Sequence, residues 1–123
     1  MTQGRIEHVN LTVSNIERSA AFFEKLLGWH QRWRGAAMSG GESIHVGEAT
    51  SYFSLYTDHA DHTGQRKGRP LNHVGLLVDD LAAAERVVLE AGLKAGGHDD
   101  YEPGRRFYFF DWDGIEFEVV SYA

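Results

Sequence analysis

The stretch IEHVNLTV, residues 6 to 13, has the pattern of a β-strand, and it recurs in related form as LNHVGLLV at residues 71 to 78. In the first copy the odd-numbered positions of 9–13 are apolar, and the even-numbered ones are polar. Because successive side chains of a strand point to opposite faces, this alternation predicts a strand with one apolar face. Each copy places one histidine, His8 or His73, at the same point of its strand.

A helix is predicted after each of these strands. SNIERSAAFFEKLLG (14–28) and DDLAAAERVVLEAG (79–92) both carry apolar residues at helical spacing. The predicted helix ends are a capping box of Ser14 with Glu17, a cap at Asp79 or Asp80, and stops at Gly28 and Gly92. A strand, cap, helix and stop that occur twice in register indicate an internal duplication.

Further strand-like segments follow each helix. They are 30–36, 43–47 and 51–57 in the first half, and 93–97, 105–112 and 115–122 in the second. Asp113-Gly114 predicts a tight hairpin, because both central residues can take positive φ. The layout predicts an α+β fold, a single domain over residues 1–123 built from two βαβββ modules. The modules span about 4–57 and 71–123 and are joined by a polar connector, 58–70.

The composition excludes several classes of protein. The chain has 42% hydrophobic residues, a net charge of -6 and no cysteine. It can therefore form a core, but it offers no basic surface for nucleic acid and no thiolate for a metal or a disulfide. The start of the sequence lacks the apolar run of a signal peptide, and no segment is long enough to span a membrane. We expect a cytoplasmic protein with neither nucleic acid nor membrane as a partner.

Metal ligands are the main candidates for chemistry. His8, His73 and Glu118 each fall on the less apolar face of a predicted strand. Two imidazoles and one carboxylate suit Zn(II), Fe(II), Mn(II), Ni(II) or Co(II), and they leave coordination positions open for substrate. Duplication can equally copy a histidine that only faces water, so the pattern by itself leaves both interpretations open.

Three segments resemble the glyoxalase/bleomycin resistance protein/dioxygenase family, also called the vicinal oxygen chelate superfamily. They are IEHVNLTVSNIERSAAFFEKLLGW, LNHVGLLVDDLAAAERVVLEAG and FYFFDWDGIEFEVV, and the resemblance extends over essentially the whole chain. It implies curved mixed sheets that form a cup for one divalent metal ion, held by His8, His73 and Glu118. It also implies a homodimer, with His8 of one subunit meeting His73 and Glu118 of its partner, and a small molecule with vicinal oxygens as substrate.

The resemblance leaves the reaction open. Ser54 stands where glyoxalase I has a glutamate ligand, so a plain lactoylglutathione lyase is not the expectation. The three remaining ligands are similar to those of extradiol dioxygenases and fosfomycin-resistance thiol transferases, and Tyr108 falls at the tyrosine of the extradiol signature. The alternatives are therefore a lyase, isomerase or transferase, a dioxygenase, or a metal-free drug-binding protein of the bleomycin-resistance kind.

Other candidate site residues are polar or aromatic positions on the same strands. Glu118 and Tyr108 are predicted to be catalytic. Asn10, Ser54, Tyr52 and Trp33 are predicted to line the substrate site, although packed or interface positions fit the aromatic residues equally well.

Overall fold

The computed structural model describes residues 4–37, 40–61, 64, 71–101 and 104–123, apart from the side chains of residues 100 and 101. The chain forms two compact units, Met1–His62 and Thr63–Ala123. Much of the predicted connector lies outside the described residues. No helix in the described part is long and apolar enough to cross a membrane.

The two units repeat one arrangement of strands and helix. The first contains β1 (His8–Thr12), α1 (Ile16–Leu27), β2 (His30–Ala36), β3 (Glu42–Gly47) and β4 (Tyr52–Thr57). The second contains β5 (Val74–Leu77), α2 (Leu81–Glu90), β6 (Gly96–Tyr101), β7 (Gly104–Phe110) and β8 (Glu116–Ser121). The sheets have the orders β1-β4-β3-β2 and β5-β8-β7-β6, and in both the first strand of the unit runs parallel to the last. The α+β fold of paired βαβββ modules is confirmed.

The helix ends show which polar side chains act as caps. Helix α1 is capped by Asn15, whose side chain accepts a hydrogen bond from the Arg18 amide at 2.9 Å. The predicted cap at Ser14 is therefore wrong by one residue, because Asn15 occupies the extended position from which a side chain can reach the first turn. Gly28 ends the helix at φ 69°, as predicted. In α2, Asp80 caps by accepting from the Ala83 amide.

Each sheet has one apolar face and one face that carries the polar side chains. Helix α1 packs on β3 and β4, and α2 packs on β7 and β8. The buried residues of the apolar faces include Leu11, Ile44, Val46, Phe53, Leu55, Leu76, Phe107, Phe109, Phe117 and Val119. Full burial of such a side chain contributes roughly 1.5–3 kcal/mol. Because alternate residues point the opposite way, the candidate site residues lie on the faces away from the helices.

The strand predicted at 93–97 is present but lies further along the chain. Strand β6 starts only at Gly96, pairs with β7, and has a register shift between Gly96 and Asp99. The shift goes with the positive φ of 61° at Gly97. Strand β6 is the edge of its sheet. An edge strand can be polar and irregular, so its sequence resembles a turn.

The predicted hairpin joins β7 and β8, and its turn has one positive φ. Gly114 has φ 85°, whereas Asp113 does not take positive φ. Asp111 shapes the turn, because its Oδ1 accepts hydrogen bonds from the Asp113 and Ile115 amides, both at 2.9 Å. In this turn only Gly114 has the left-handed conformation, whereas a two-residue type I′ turn has positive φ at both central residues.

Candidate functional site

The second unit brings His73 and Glu118 into direct contact. His73 lies just before β5, and Glu118 lies on β8, where it pairs with Gly75 of the neighbouring strand. Nε2 of His73 is 3.1 Å from Oε1 of Glu118. The other oxygen, Oε2, accepts a hydrogen bond from a guanidinium nitrogen of Arg106 at 2.8 Å. Glu118 thus divides its two oxygens between an imidazole and a cation, and its side chain is only 14% exposed.

The far side of the His73 ring also faces oxygen atoms. Nδ1 is 2.9 Å from Oδ1 of Asn72 and 3.9 Å from Oε1 of Glu116. A carbonyl oxygen only accepts, so Nδ1 is the donor of the bond to Asn72. Both ring nitrogens therefore face acceptor oxygens.

His73 and Glu118 fit as neighbouring ligands of a divalent ion. Two ligand atoms bonded at about 2.1 Å to one first-row ion lie roughly 3.0–3.4 Å apart. The observed separation of 3.1 Å falls in that range. The bond from Nδ1 to Asn72 is the kind of second contact that orients a metal-binding histidine. Glu116 approaches the opposite nitrogen of the ring and cannot join this pair.

The first unit contains the repeat-related histidine. Nδ1 of His8 donates to Oε1 of Glu7 at 2.9 Å. The ring stacks on Tyr52, its partner across the strand pair, with centroids 4.9 Å apart. His8 is thus held in the same way as His73, through Nδ1 to an oxygen of the residue just before it. In both units this leaves Nε2 as the nitrogen with which the ring can bind a further group.

The structure does not by itself complete the predicted metal site. His8 belongs to the first unit, whereas His73 and Glu118 belong to the second. Within the described residues, no three or more His, Asp or Glu side chains are grouped in a way that could hold a metal ion. The residue pair fits a metal, and the third ligand remains an expectation from the sequence.

Aromatic rings continue from His8 across the first sheet. The ring of His45 lies 4.7 Å from that of Tyr52, and Trp33 lies 4.9 Å from His45. The guanidinium of Arg32 sits 4.3 Å above the Tyr52 ring. Burial lowers the pKa of His45 below its usual value, and the nearby His8 and Arg32 add to this effect. His45 is therefore a neutral imidazole at neutral pH.

Ser54 and Asn10 lie on the same face as these rings. Ser54 pairs with both Asn10 and His45 in the strand register, and it is buried. A serine hydroxyl is not a base at neutral pH. The structure thus places the predicted substrate-binding residues of the first unit, Asn10, Ser54, Tyr52 and Trp33, on one sheet face beside His8.

Tyr108 lies next to the His73–Glu118 pair. It is the register partner of Glu118, and its ring meets that of His73 edge-on with centroids 5.7 Å apart. Several contacts of the site were not predicted from the sequence, namely those made by Glu7, Arg32, Asn72, Arg106 and Glu116. The alternation of side chains along β7 and β8 could have indicated Arg106 and Glu116, because both lie on the same sheet face as Tyr108 and Glu118.

The remaining described histidines lie elsewhere. His98 pairs with Glu85 at 2.9 Å on the surface of the second unit. His59 is exposed and has the left-handed φ of 67°. His30 begins β2 and is exposed. His62 lies outside the described residues.

Comparison with known protein families identifies the chain. The sequence model of the Glyoxalase/Bleomycin resistance protein/Dioxygenase superfamily matches residues 5–119. The chain belongs to this superfamily. A comparison with curated proteins found no match.

Solved structures of the superfamily have the same fold. A glyoxylase/bleomycin resistance protein/dioxygenase domain from Frankia sp. EAN1pec has a TM-score of 0.82 at 22% identity, with 98% of each chain covered. Fosfomycin resistance protein FosX from Mesorhizobium loti has a TM-score of 0.75 at 19% identity, covering 98% of this chain and 92% of FosX. FosX from Listeria monocytogenes, in complex with Mn(II) and sulfate, has a TM-score of 0.74 at 17% identity, covering 98% and 93%. At these identities the likeness shows the fold.

Proposed function

We propose that this protein is a divalent-metal-dependent enzyme of the glyoxalase type that acts on a small molecule with two neighbouring oxygen atoms. The observation that carries the proposal is the repeated anchoring of His8 and His73. In both units Nδ1 is bound to an oxygen of the preceding residue, at 2.9 Å in each case. Orienting contacts of this kind accompany metal-binding histidines.

The ligands we assign are His8, His73 and Glu118. The contact between His73 and Glu118 supports two of them directly, and the family resemblance supplies His8. Zn(II), Fe(II), Mn(II), Ni(II) and Co(II) all suit this set, and FosX of Listeria monocytogenes has been solved with Mn(II). When bound, such an ion would act as a Lewis acid toward the chelated oxygens of the substrate.

The other residues on these faces would position the substrate and move protons. Tyr108 carries a phenol beside the His73–Glu118 pair and can donate a hydrogen bond to substrate. On the first sheet, Asn10, Ser54, Tyr52 and Trp33 would form the wall of the site. Because Ser54 cannot accept a proton at neutral pH, we assign that task on this face to the neutral imidazole of His45.

A second copy of the chain is the partner that the proposal needs. Proteins of this superfamily are commonly dimers that act on small molecules. By that resemblance, His8 of one subunit would meet His73 and Glu118 of the other. The cross-subunit arrangement predicts that two defective variants can complement each other in a mixed dimer.

One observation favours a second candidate, a metal-free protein that binds a small molecule. Arg106 and Glu118 form an ion pair with side chains 12% and 14% exposed. The guanidinium of Arg106 therefore already balances the negative charge of the Glu118 carboxylate. A metal ion is not needed for that purpose. A binding protein could retain this pair without any ion.

Calorimetric titration with Mn(II) and Zn(II) separates the two candidates. Removal of a ligand in His8→Ala, His73→Ala or Glu118→Ala should weaken binding about 100-fold or more, as loss of an orienting contact alone costs roughly 10- to 100-fold. His98→Ala is the matched control, because it breaks another histidine–glutamate pair of the second unit and should bind like the wild type. Normal binding by all three ligand variants would overturn the proposal.

A further inference from the structure

Arg32 is an arginine of the first unit to which the proposed function gives no role. It lies in β2, where the pairing with β3 shifts register between Gln31 and Trp33. Successive strand residues normally point to opposite faces, but a bulge adds one residue and can re-aim a side chain beside an active site. Here Trp33 stays opposite His45, and the guanidinium of Arg32 sits 4.3 Å above the ring of Tyr52. Arg32 and Trp33 therefore both reach the polar face of the first sheet.

Two contacts hold the guanidinium of Arg32 in place. Nη1 donates a hydrogen bond to the backbone carbonyl of Glu48 at 3.1 Å, and the ring of Tyr52 lies beneath the group. The carboxylate of Glu48 is bound to its own turn, because Oε1 accepts from the amides of Thr50 and Ser51 at 3.1 and 2.7 Å. A guanidinium whose planar donors are already directed loses less entropy when it binds an anion.

The positive charge of Arg32 is available to a ligand. Within the described residues, Arg32 contacts a carbonyl and an aromatic ring but forms no ion pair with a carboxylate. Two other arginines differ in this respect, because Arg34 pairs with Glu17 and Arg106 pairs with Glu118. Arg32 can therefore donate charge-assisted hydrogen bonds to an anion on the polar face.

The groups around the Tyr52 ring favour an anion with a single charge. His45 lies 4.7 Å from this ring, and its pKa is lowered by burial and then by His8 and Arg32. His45 is therefore neutral at neutral pH, and Arg32 is the cation of this group. The charge of Glu7, which also acts on His45, is directed to Nδ1 of His8. One cation is balanced by one carboxylate, whereas a phosphate or phosphonate brings up to two negative charges.

Arg32 and His8 approach the same aromatic ring. The guanidinium carbon of Arg32 is 4.3 Å from the centre of the Tyr52 ring, and the centre of the His8 ring is 4.9 Å from it. A molecule only a few bonds long can therefore reach both residues.

We propose that Arg32 binds a carboxylate of the substrate and so determines the substrate class. That class is a small monocarboxylic acid that carries a separate pair of neighbouring oxygen atoms for the site at His8. The substrate class rests on the proposed function, because the oxygen pair is assigned to the metal. The contact between Arg32 and the carboxylate needs no metal and can be measured without one.

The test uses two probes of nearly the same shape and different charge, 3,4-dihydroxybenzoate and 3,4-dihydroxybenzamide. Each is titrated into chelator-treated protein and into protein with one equivalent of Zn(II), while the Nε–H signal of Arg32 is followed by NMR. In both metal states the acid should bind about tenfold more tightly than the amide, because its hydrogen bonds to a guanidinium are charge-assisted. Equal affinities, or no shift of the Arg32 signal with the acid, would overturn the proposal.

Two variants of β2 locate the contact. Arg32→Gln removes the charge of an exposed side chain, so it should abolish the preference for the acid and leave the affinity for the amide unchanged. Arg34→Gln is the matched control, because it makes the same change in the same strand at a residue that pairs with Glu17 and Glu42. This control should keep the preference for the acid. A preference that survives in Arg32→Gln, or is lost in Arg34→Gln, would contradict the proposal.

The two metal states separate this inference from the proposed function. If Zn(II) tightens neither probe while Arg32→Gln removes the preference for the acid, the metal assignment fails and the carboxylate contact is supported. If Zn(II) tightens both probes while the preference survives Arg32→Gln, the assignment of Arg32 fails and the proposed function is supported.

Discussion

Nε2 of His73, just before β5, lies 3.1 Å from Oε1 of Glu118, in the middle of β8. The two residues are distant in sequence, and the parallel pairing of β5 with β8 brings them together. Their separation suits both a hydrogen bond and two neighbouring metal ligands.

The orienting contact of His73 should matter for metal affinity. Asn72→Ala removes the oxygen that holds Nδ1, so the ring loses its fixed direction. We expect Mn(II) or Zn(II) affinity to fall roughly 10- to 100-fold, with little change in thermal stability because Asn72 is exposed. Glu7→Ala should have a similar effect through His8. Isothermal titration measures both, and wild-type affinity in both variants would show that these contacts do not orient ligands.

Arg106 should stabilise the protein chiefly when no metal is bound. Arg106→Met removes the cation from a largely buried carboxylate, and an uncompensated buried charge costs about 3 kcal/mol or more. A divalent ion at Glu118 would replace the lost charge, so added Mn(II) should restore much of this stability. Urea unfolding with and without metal measures the effect. Equal destabilisation in both conditions would mean that Glu118 does not bind the ion.

Complementation between subunits tests the shared site. His8→Ala and Glu118→Ala homodimers should each lack metal binding. When they are unfolded together and refolded, half of the dimers should be mixed, and each mixed dimer should have one intact site. Metal binding should then return to about a quarter of the wild-type sites. If the three ligands come from one chain, no binding returns.

His45 should make stability depend on pH. Because its pKa is lowered in the folded protein, mainly by burial, the unfolded chain takes up the proton first as the pH falls. The free energy of unfolding should therefore decrease as the pH drops through the ordinary histidine value of 6.5. His45→Gln should show a shallower decrease between about pH 7 and pH 5. Denaturant unfolding at a series of pH values measures this, and identical slopes would contradict it.

Much of the fold could be predicted because it is encoded twice. The copied strand around His8 and His73, followed each time by a capped helix, indicates the βαβββ modules from the sequence alone. Parity within the strands then placed Glu118 on the polar face. What could not be predicted were the bounds of edge strand β6 (Gly96–Tyr101), since a sheet edge needs no apolar alternation.

The contacts of His8 and His73 with neighbouring side chains could also not be predicted from the sequence. Strand alternation places neighbouring side chains on opposite faces, which argues against a bond between His8 and Glu7. Glu7 and Asn72 lie before β1 and β5, however, so alternation does not apply to them. The Arg106–Glu118 pair depends on the register of β7 and β8, because Arg106 is paired with Val120 and reaches Glu118 diagonally.

The most direct test of the central claim is the metal content of untagged protein purified without chelator, measured by plasma mass spectrometry beside Glu118→Ala. The proposal predicts close to one divalent ion for each site in the wild type and loss of that ion in the variant. Wild-type protein that holds no metal and takes up none on titration would contradict the enzyme assignment. It would favour the metal-free binding protein that the Arg106–Glu118 pair allows.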